Sequence, residues 1–404
     1  MKSPAKNLSV CLLATALVAC GGAAAPPPAA PTAKPEPTLT AKESWLKAAQ
    51  LGQYAPAKQD WDAIEAAAKK EGKVVVYANT SKVADLVPMF EKKYGIKVEA
   101  PDIGGDEVLL KTKEEQKAGA FYNDVWYSSS AAGDLIGELL PKQYVWRFVP
   151  DELVAVTPDS ALNPVLSVKY GVKVMAYNSE LNPKGCPISN IWDLTEPAWK
   201  GKMFVEDPLN DASQMALMVT IIGHPTELAA AYKDKYGKDP VLDADTPDAG
   251  WLWLKMLTKN KPVGMPGGDE LMAAFAAPKM KDSYIAINAS YSKYSDVLKG
   301  KLFFEPCKGM KPIFGLQSSS YLAIANQAPH PNAAKLFIKF LSTTPEAFAP
   351  WNTMGSYSTR TDWPAVKGAI PFKELAPSLW PVDEAAIYKT ITKVRDFYAV
   401  NLLK

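Results

Sequence analysis

Val74-Val75-Val76-Tyr77 is followed at helical spacing by Val83, Leu86, Val87, Phe90 and Tyr94, and then by Ile96-Lys97-Val98. The first run is short, continuous and apolar, which is how a strand buried on both faces reads. The second set keeps one helical face apolar. Pro88 is expected to kink or restart that helix, and Gly95 ends it before a second strand. Glu107 to Lys117 reads as a polar helix, Asp124-Val125-Trp126-Tyr127 as a third strand, and Leu135, Ile136, Leu139 and Leu140 as a further helix. Strand–helix–strand order with short helices requires parallel crossovers, so an α/β fold with open, doubly wound sheets is expected.

The same alternation recurs downstream. Val172-Lys173-Val174-Met175-Ala176-Tyr177 and Met203-Phe204-Val205 read as strands, Ala212 to Ile222 as a helix, and Tyr284-Ile285-Ala286-Ile287 as another strand. A late helix from Asn332 to Leu341 has Pro331 at its first turn and Ala333, Leu336, Phe337 and Phe340 on one face. Upstream, Trp61, Ile64, Ala68 and Glu71 step along a helical lead-in that Gly72 stops. Two such units, interrupted so that a late segment returns to the first, suit two lobes joined by a hinge.

The N-terminus reads differently. Lys2 and Lys6 precede an apolar stretch from Leu8 to Val18, too short to span a bilayer as a stable helix. Leu17-Val18-Ala19-Cys20, with Gly21-Gly22 after it, resembles the bacterial lipobox, whose cysteine is acylated and becomes the first mature residue. Residues 1–20 are therefore expected to be a lipoprotein signal peptide and Cys20 the lipidation site. Ala23 to Thr40 is almost entirely Ala, Pro and Thr, so residues 21–42 read as an extended tether. The expected location is the cell envelope, outside the cytoplasm, with the protein held to a membrane by lipid on Cys20.

Composition narrows the classes further. The chain carries 45 basic and 43 acidic residues, a balance that argues for no nucleic-acid partner. Cys11 leaves with the signal peptide and Cys20 carries lipid, so Cys186 and Cys307 remain. In an oxidising envelope they are expected to pair, two buried free thiols being the alternative.

No nucleophile elbow, phosphate-binding loop or zinc-protease motif occurs. The only two histidines, His224 and His330, flank turn-like helix ends, where capping or surface roles are expected. No catalytic residue, cofactor or metal is therefore assigned. The loops after strands are instead rich in hydroxyl and amide groups, which suits a binding cleft at strand ends. The candidate ligand-binding residues are Asn79, Thr80, Ser81, Ser129, Ser130, Asn210, Asp211, Asp269, Asn288, Ser290 and Tyr291. Ser, Thr, Asn and Asp are also the preferred helix caps, so each loop has a purely structural reading beside the functional one.

The order of motifs carries a resemblance. Val74 to Tyr77, Phe90-Glu91-Lys92-Lys93-Tyr94-Gly95-Ile96-Lys97-Val98 and Asp124 to Tyr127 resemble the opening lobe of extracellular solute-binding proteins of ABC importers. Val174 to Asn178 followed by Trp192-Asp193-Leu194-Thr195-Glu196-Pro197-Ala198-Trp199-Lys200-Gly201 is similar to the start of their second lobe. Asn332 to Leu341 and Tyr357-Ser358-Thr359-Arg360-Thr361-Asp362 are similar to the late helix and closing loop. The branch is the one containing ferric-ion-binding proteins and relatives that bind phosphonates or sugar phosphates.

The resemblance implies a type II periplasmic-binding-protein fold: lobe 1 with its lead-in at 43–170, lobe 2 at 171–305, and a returning segment with C-terminal helices at 306–404. It implies a small-molecule solute, an ABC permease and its ATPase as partners, and no catalysis; a monomer is expected. The iron-binding members use a tyrosine pair with His or Glu, where this chain has Ser290-Tyr291, Ser81 and Ser129. A repositioned ferric set of Tyr127, Tyr291 and Tyr294 stays open as the alternative. Neutral hydroxyls and helix N-termini suit an oxyanion better. Glu206, Asp207, Asp211 and Asp269 nearby leave a zwitterion or amine open, and Arg360 either reaches an acidic ligand or pairs with Asp362. Two other readings are an envelope enzyme on the same fold and a receptor that presents its ligand to a sensor.

Overall fold

Lys73–Ala78 forms strand β1, and Lys97–Glu99 (β2) and Val125–Ser129 (β3) lie parallel on either side of it. The computed structural model describes residues 39–101, 103–129 and 133–403, so Cys20, the signal peptide, most of the tether and Ser130 lie outside the described residues. Next come Val145–Trp146 (β4), Leu166–Asn178 (β5), Met203–Glu206 (β6), Val263–Met265 (β7) and Ile285–Ser290 (β8). Phe304–Pro306 (β9), Gly315–Ala325 (β10), Ser356–Ser358 (β11) and Leu379–Pro381 (β12) complete the strands. Along the sheet the order is β2-β1-β3-β10-β5-β8-β6-β7; β9 and β11 join β5, and β4 and β12 join β10.

The pairing sense explains the architecture. β2-β1-β3 and β8-β6-β7 are parallel sets, as βαβ crossovers demand, while β3–β10, β10–β5 and β5–β8 are antiparallel. Two parallel α/β lobes are thus joined through one antiparallel pair of long strands. The expected divisions after residues 170 and 305 fall inside β5 and β9.

Each lobe has its own core. In the first, Phe90 on the Val83–Tyr94 helix meets Phe337 and Phe340 of the Pro331–Thr343 helix, with ring centroids 5.4 and 5.5 Å apart. Pro88 sits inside the Val83–Tyr94 helix without ending it. Glu71, at the end of the lead-in helix, accepts from the backbone N–H groups of Asn332 and Ala333 and from the Asn332 amide, capping the late helix with a carboxylate. In the second lobe, buried Trp192 and Trp253 donate their indole N–H groups to Leu228 and Ile191 carbonyls at 2.9 and 3.1 Å. The indoles therefore contribute apolar area with no unpaired donor.

Two expectations are refined. The segment from Leu135 to Leu139 is a short π-helical turn, and not an ordinary α-helix. It is pressed against a neighbour at its middle: Gly137 lies directly under the Tyr388 ring of the Glu384–Leu402 helix, with no space for a Cβ. The strand expected at 172–177 extends over 166–178, because polar residues alternate with apolar ones in its first half. The histidines hold the N-cap positions of the Pro225–Tyr236 and Pro331–Thr343 helices. His224 stacks on Trp380, and His330 Nδ1 lies 2.9 Å from the buried Asp124 carboxylate.

Cys186, in the turn region after β5, is disulfide-bonded to Cys307 at the end of β9. The bond closes a loop of 121 residues, long enough to restrict the unfolded chain substantially. Replacing both cysteines by serine is expected to lower unfolding free energy by roughly 2–5 kcal/mol in urea titrations. The wild type in dithiothreitol should behave like the variant, and an unchanged midpoint would contradict this account.

Candidate functional site

Side chains on a strand alternate between faces, so the register of β5 against β10 decides what meets the space between the lobes. Lys169 pairs with Ser320, Gly171 with Ser318 and Lys173 with Leu316, while β3 sets Ser129 opposite Ser320. These residues share one face. A Cβ on Gly171 would come 2.9 Å from Ser318 Oγ and 3.8 Å from Lys169 Nζ, so the bare backbone there leaves the floor open. Ser129, Lys173, Ser318, Ser213, Gln214 and Val382 line a cavity of about 80 Å³ at this junction.

The first-lobe side of the cleft is fixed by a reciprocal amide–hydroxyl pair. Asn79 Nδ2 donates to Ser129 Oγ at 2.7 Å, and the Ser129 N–H donates to Asn79 Oδ1 at 3.4 Å. Thr80 Oγ1 accepts from the Lys82 N–H at 3.3 Å, which turns the chain into the Val83–Tyr94 helix; Ser81 is exposed. Ser130 lies outside the described residues.

The second-lobe side is built on the Ala212–Ile222 helix. Asp211 caps it: Oδ1 accepts from the Ser213 N–H at 2.7 Å, the Ser213 hydroxyl at 2.5 Å and the Gln214 N–H at 3.1 Å. Asp211 therefore fills the helix N-terminus itself, and Ser213 and Gln214 line the cavity behind it. Gln214 Nε2 donates to Glu206 Oε2 at 2.7 Å. Asn210 is exposed and donates to Asp207 at 2.6 Å; Asp269 is exposed and ion-paired to Lys293. Ser290 Oγ lies 2.9 Å from Ser292 Oγ.

The remaining candidates are buried. Asn288 has φ 58° at the irregular β5–β8 pairing, and its Nδ2 has no partner among the described residues. Tyr291 packs in an apolar layer with Met354 and Tyr357, over Gly355, where a Cβ would come 2.6 Å from the Tyr291 Cβ. Tyr294 donates its hydroxyl to Glu305 at 2.5 Å. Burial holds the Tyr127, Tyr291 and Tyr294 hydroxyls above the usual phenol range, with Glu305 adding to the shift for the latter two. Arg360 pairs with Asp362, its Nε at 2.9 Å. Among the described residues no group of three or more His, Cys, Asp or Glu is arranged to hold a metal ion.

Charge is distributed unevenly over this cleft. Lys169 is half-buried and makes no hydrogen bond or ion pair among the described residues. Burial, with Lys82 and Lys173 nearby, pulls its pKa down to about 8. Lys82, from the first lobe, is also lowered, by burial and then by Lys293 of the second lobe. Glu206 is raised by burial; Lys173 opposes that shift, and Asp211, Glu270 and Asp269 add to it. Asp106 at the start of the first-lobe Gly105–Ala118 helix is raised by burial and by Asp211 across the cleft. An ammonium-rich floor thus adjoins a carboxylate-rich wall, and like charges from the two lobes lie within Coulombic reach of each other.

Lys169, Lys173 and Ser318 were not among the candidates read from the sequence. For the two lysines the signal was present: Val168-Lys169-Tyr170-Gly171-Val172-Lys173-Val174 alternates strictly, which is the mark of a strand with one polar face.

Residues 85–376 match the family model for bacterial extracellular solute-binding proteins. No curated protein matches the chain in sequence. Among solved structures, iron-bound HitA from Pseudomonas aeruginosa superposes with TM-score 0.61 at 18% identity, covering 81% of this chain and 99% of that one. AfuA from Actinobacillus pleuropneumoniae, with fructose-6-phosphate bound, gives TM-score 0.62 at 18% identity over 82% of this chain and 99% of its own. A ferric binding protein from Campylobacter jejuni gives 0.57 at 16% identity, over 81% and 99%. At these identities the structural matches establish the fold, that of the periplasmic binding proteins. The family match covers well over half of the sequence, and the chain belongs to the bacterial extracellular solute-binding proteins.

Proposed function

We propose that this protein is the lipid-anchored solute-binding component of an ABC import system and that it captures a small anionic or zwitterionic solute in the interlobe cleft. The observation that carries the ligand class is Lys169: a half-buried ammonium on the strand pair that joins the lobes, with no acidic partner among the described residues. An unpaired charge in such a place is costly unless a ligand completes it. Ser318 adds a hydroxyl next to it across Gly171, Ser129 adds another on the same face opposite Ser320, and Glu206 with Gln214 offers a complementary wall for a hydroxyl or amine on the rest of the solute.

The two kinds of ligand named for similar folds, iron and fructose-6-phosphate, make opposite demands. Ferric iron requires deprotonated oxygen donors. Here the three tyrosines that would supply them are buried, with raised hydroxyl pKa values, or held by Glu305. Lysines repel the cation and attract the anion, so the floor favours the second chemistry. Ligand entry would also offset the repulsion between Lys82 and Lys293, coupling occupancy to lobe closure. The bound protein would then dock on a permease driven by its ATPase. No residue is given a catalytic role.

Native mass spectrometry of the purified protein, followed by thermal-shift screening of sugar phosphates, phosphonates, organic acids, amines and Fe(III), is expected to identify an anionic ligand. Lys169→Met should weaken it roughly 10–100-fold, as expected for losing one charge-assisted hydrogen bond. With a free-protein pKa of about 8, Lys169 is charged at pH 7 and loses its proton as pH rises through that value. Affinity should therefore fall between about pH 7 and 9 in the wild type and lose that component in Lys169→Met. Strong Fe(III)-dependent stabilisation with a tyrosinate absorption band would overturn the ligand class.

The anchor has its own test. Cys20→Ser is expected to move the protein from the detergent-extracted membrane fraction to the soluble envelope fraction, without radiolabelled-palmitate incorporation. Unchanged membrane retention and labelling would contradict lipidation at Cys20.

A further inference from the structure

Lys335 stands on the Pro331–Thr343 helix where that helix buries its apolar face, flanked by Ala334, Leu336 and Phe337, and is 1% exposed. Its ammonium makes no hydrogen bond or ion pair among the described residues. The nearest carboxylate that acts on it, Glu71, is already engaged by the helix N-terminus at Asn332 and Ala333. Phe148 offers only a ring face, 5.6 Å from the nitrogen. Burial accordingly pulls this amine down to about 8. A methionine would fill the same stem volume with no charge to desolvate, so packing alone gives no reason for lysine here.

The same side chain lines a pocket of about 190 Å³, none of whose lining residues belongs to the cleft cavity. The pocket lies between the segment that follows the first helix and the stretch from Arg147 to Val154. Its frame is braced: Gln59 donates to the Val149 carbonyl at 3.2 Å and accepts from the Asp151 N–H at 2.7 Å. Asp151 Oδ1 accepts from the Trp61 indole at 2.9 Å and forms no ion pair with Lys335 among the described residues. Arg147 uses Nε on the Leu162 carbonyl at 2.8 Å, which leaves its terminal N–H groups without partners among the described residues. Leu51, Phe148 and Val149 supply apolar wall.

We propose that this pocket is a second ligand site, separate from the interlobe cleft, that takes a small organic monocarboxylate. Its carboxylate meets the Lys335 ammonium and the Arg147 guanidinium, and a short apolar body lies against Leu51, Phe148 and Val149. The volume equals about six waters, which sets the scale at a short-chain or single-ring acid and excludes larger solutes. Carboxylate is favoured over a dianion because Asp151 also lines the pocket and would repel the second charge.

The test is isothermal titration of the full-length purified protein with hexanoate, benzoate and inorganic phosphate, in the wild type, Lys335→Met, Arg147→Ala and the cleft variant Lys169→Met. Hexanoate or benzoate should bind the wild type and Lys169→Met alike. Binding should weaken roughly 10–100-fold in Lys335→Met and about tenfold in Arg147→Ala. Without ligand, Lys335→Met should unfold at the same or a higher temperature than the wild type, the signature of a residue kept for binding. No carboxylate binding, preference for phosphate, or loss in Lys169→Met with retention in Lys335→Met would overturn the proposal. Should Lys335→Met fail to fold, exposed Arg147 decides the matter: unchanged affinity in Arg147→Ala would overturn it.

Discussion

The antiparallel pairing of β5 with β10 is the constraint on which the rest of the molecule depends. Each parallel set could form a lobe on its own terms, from apolar strands and helices of matching period. Within the sheet these two long strands connect the sets, and their register fixes which side chains meet the space between them. A slip of one residue would turn Lys169, Gly171 and Lys173 away from the cleft and bring Val168, Tyr170 and Val172 into it. The apolar face of the same strands rules out that slip, since Val168, Val172 and Val174 are buried in the cores. Core packing and site geometry are thus two faces of one pairing.

Electrostatics then turns this geometry into a binding device. Placing two lysines on the joining strands and one at the head of the Val83–Tyr94 helix concentrates positive charge where water is partly excluded. Neutralising that charge internally would have been simple, because carboxylates stand on the adjoining wall at Glu206 and Asp211. They are turned to other work: Asp211 caps a helix and Glu206 accepts from Gln214. In the function proposed above, the charge left on Lys169 is what an anionic solute would complete, and the repulsion between residues of opposite lobes would make closure depend on that solute.

Much of the fold was legible because buried strands and helix faces follow simple periods. Val74 to Tyr77, the Ala212–Ile222 helix and the Pro331–Thr343 helix stand close to where their apolar spacing puts them. The site was less legible, for a physical reason. Unbroken polar runs are foreign to ordinary core strands, so Gln317-Ser318-Ser319-Ser320 gives no strand signal. Yet β10 carries that run at the centre of the sheet, because its middle crosses a cleft instead of a core. Caps and ligand loops draw on the same side chains, so Asp211 and Asn210 carry both readings in the sequence; the structure shows Asp211 capping the Ala212–Ile222 helix and Asn210 donating to Asp207. Asn79 and Ser129, by contrast, are brought together at the cleft edge.

The central claim is that Lys169 is an unpaired, desolvated ammonium that a bound anion completes. Nitrogen-detected NMR of lysine side chains, assigned through Lys169→Arg, measures this directly by titrating the amine in the free and liganded protein. The account predicts a free-state midpoint near 8 that moves upward when the solute binds. An ordinary lysine midpoint of about 10.4 in the free protein, unchanged by ligand, would contradict it.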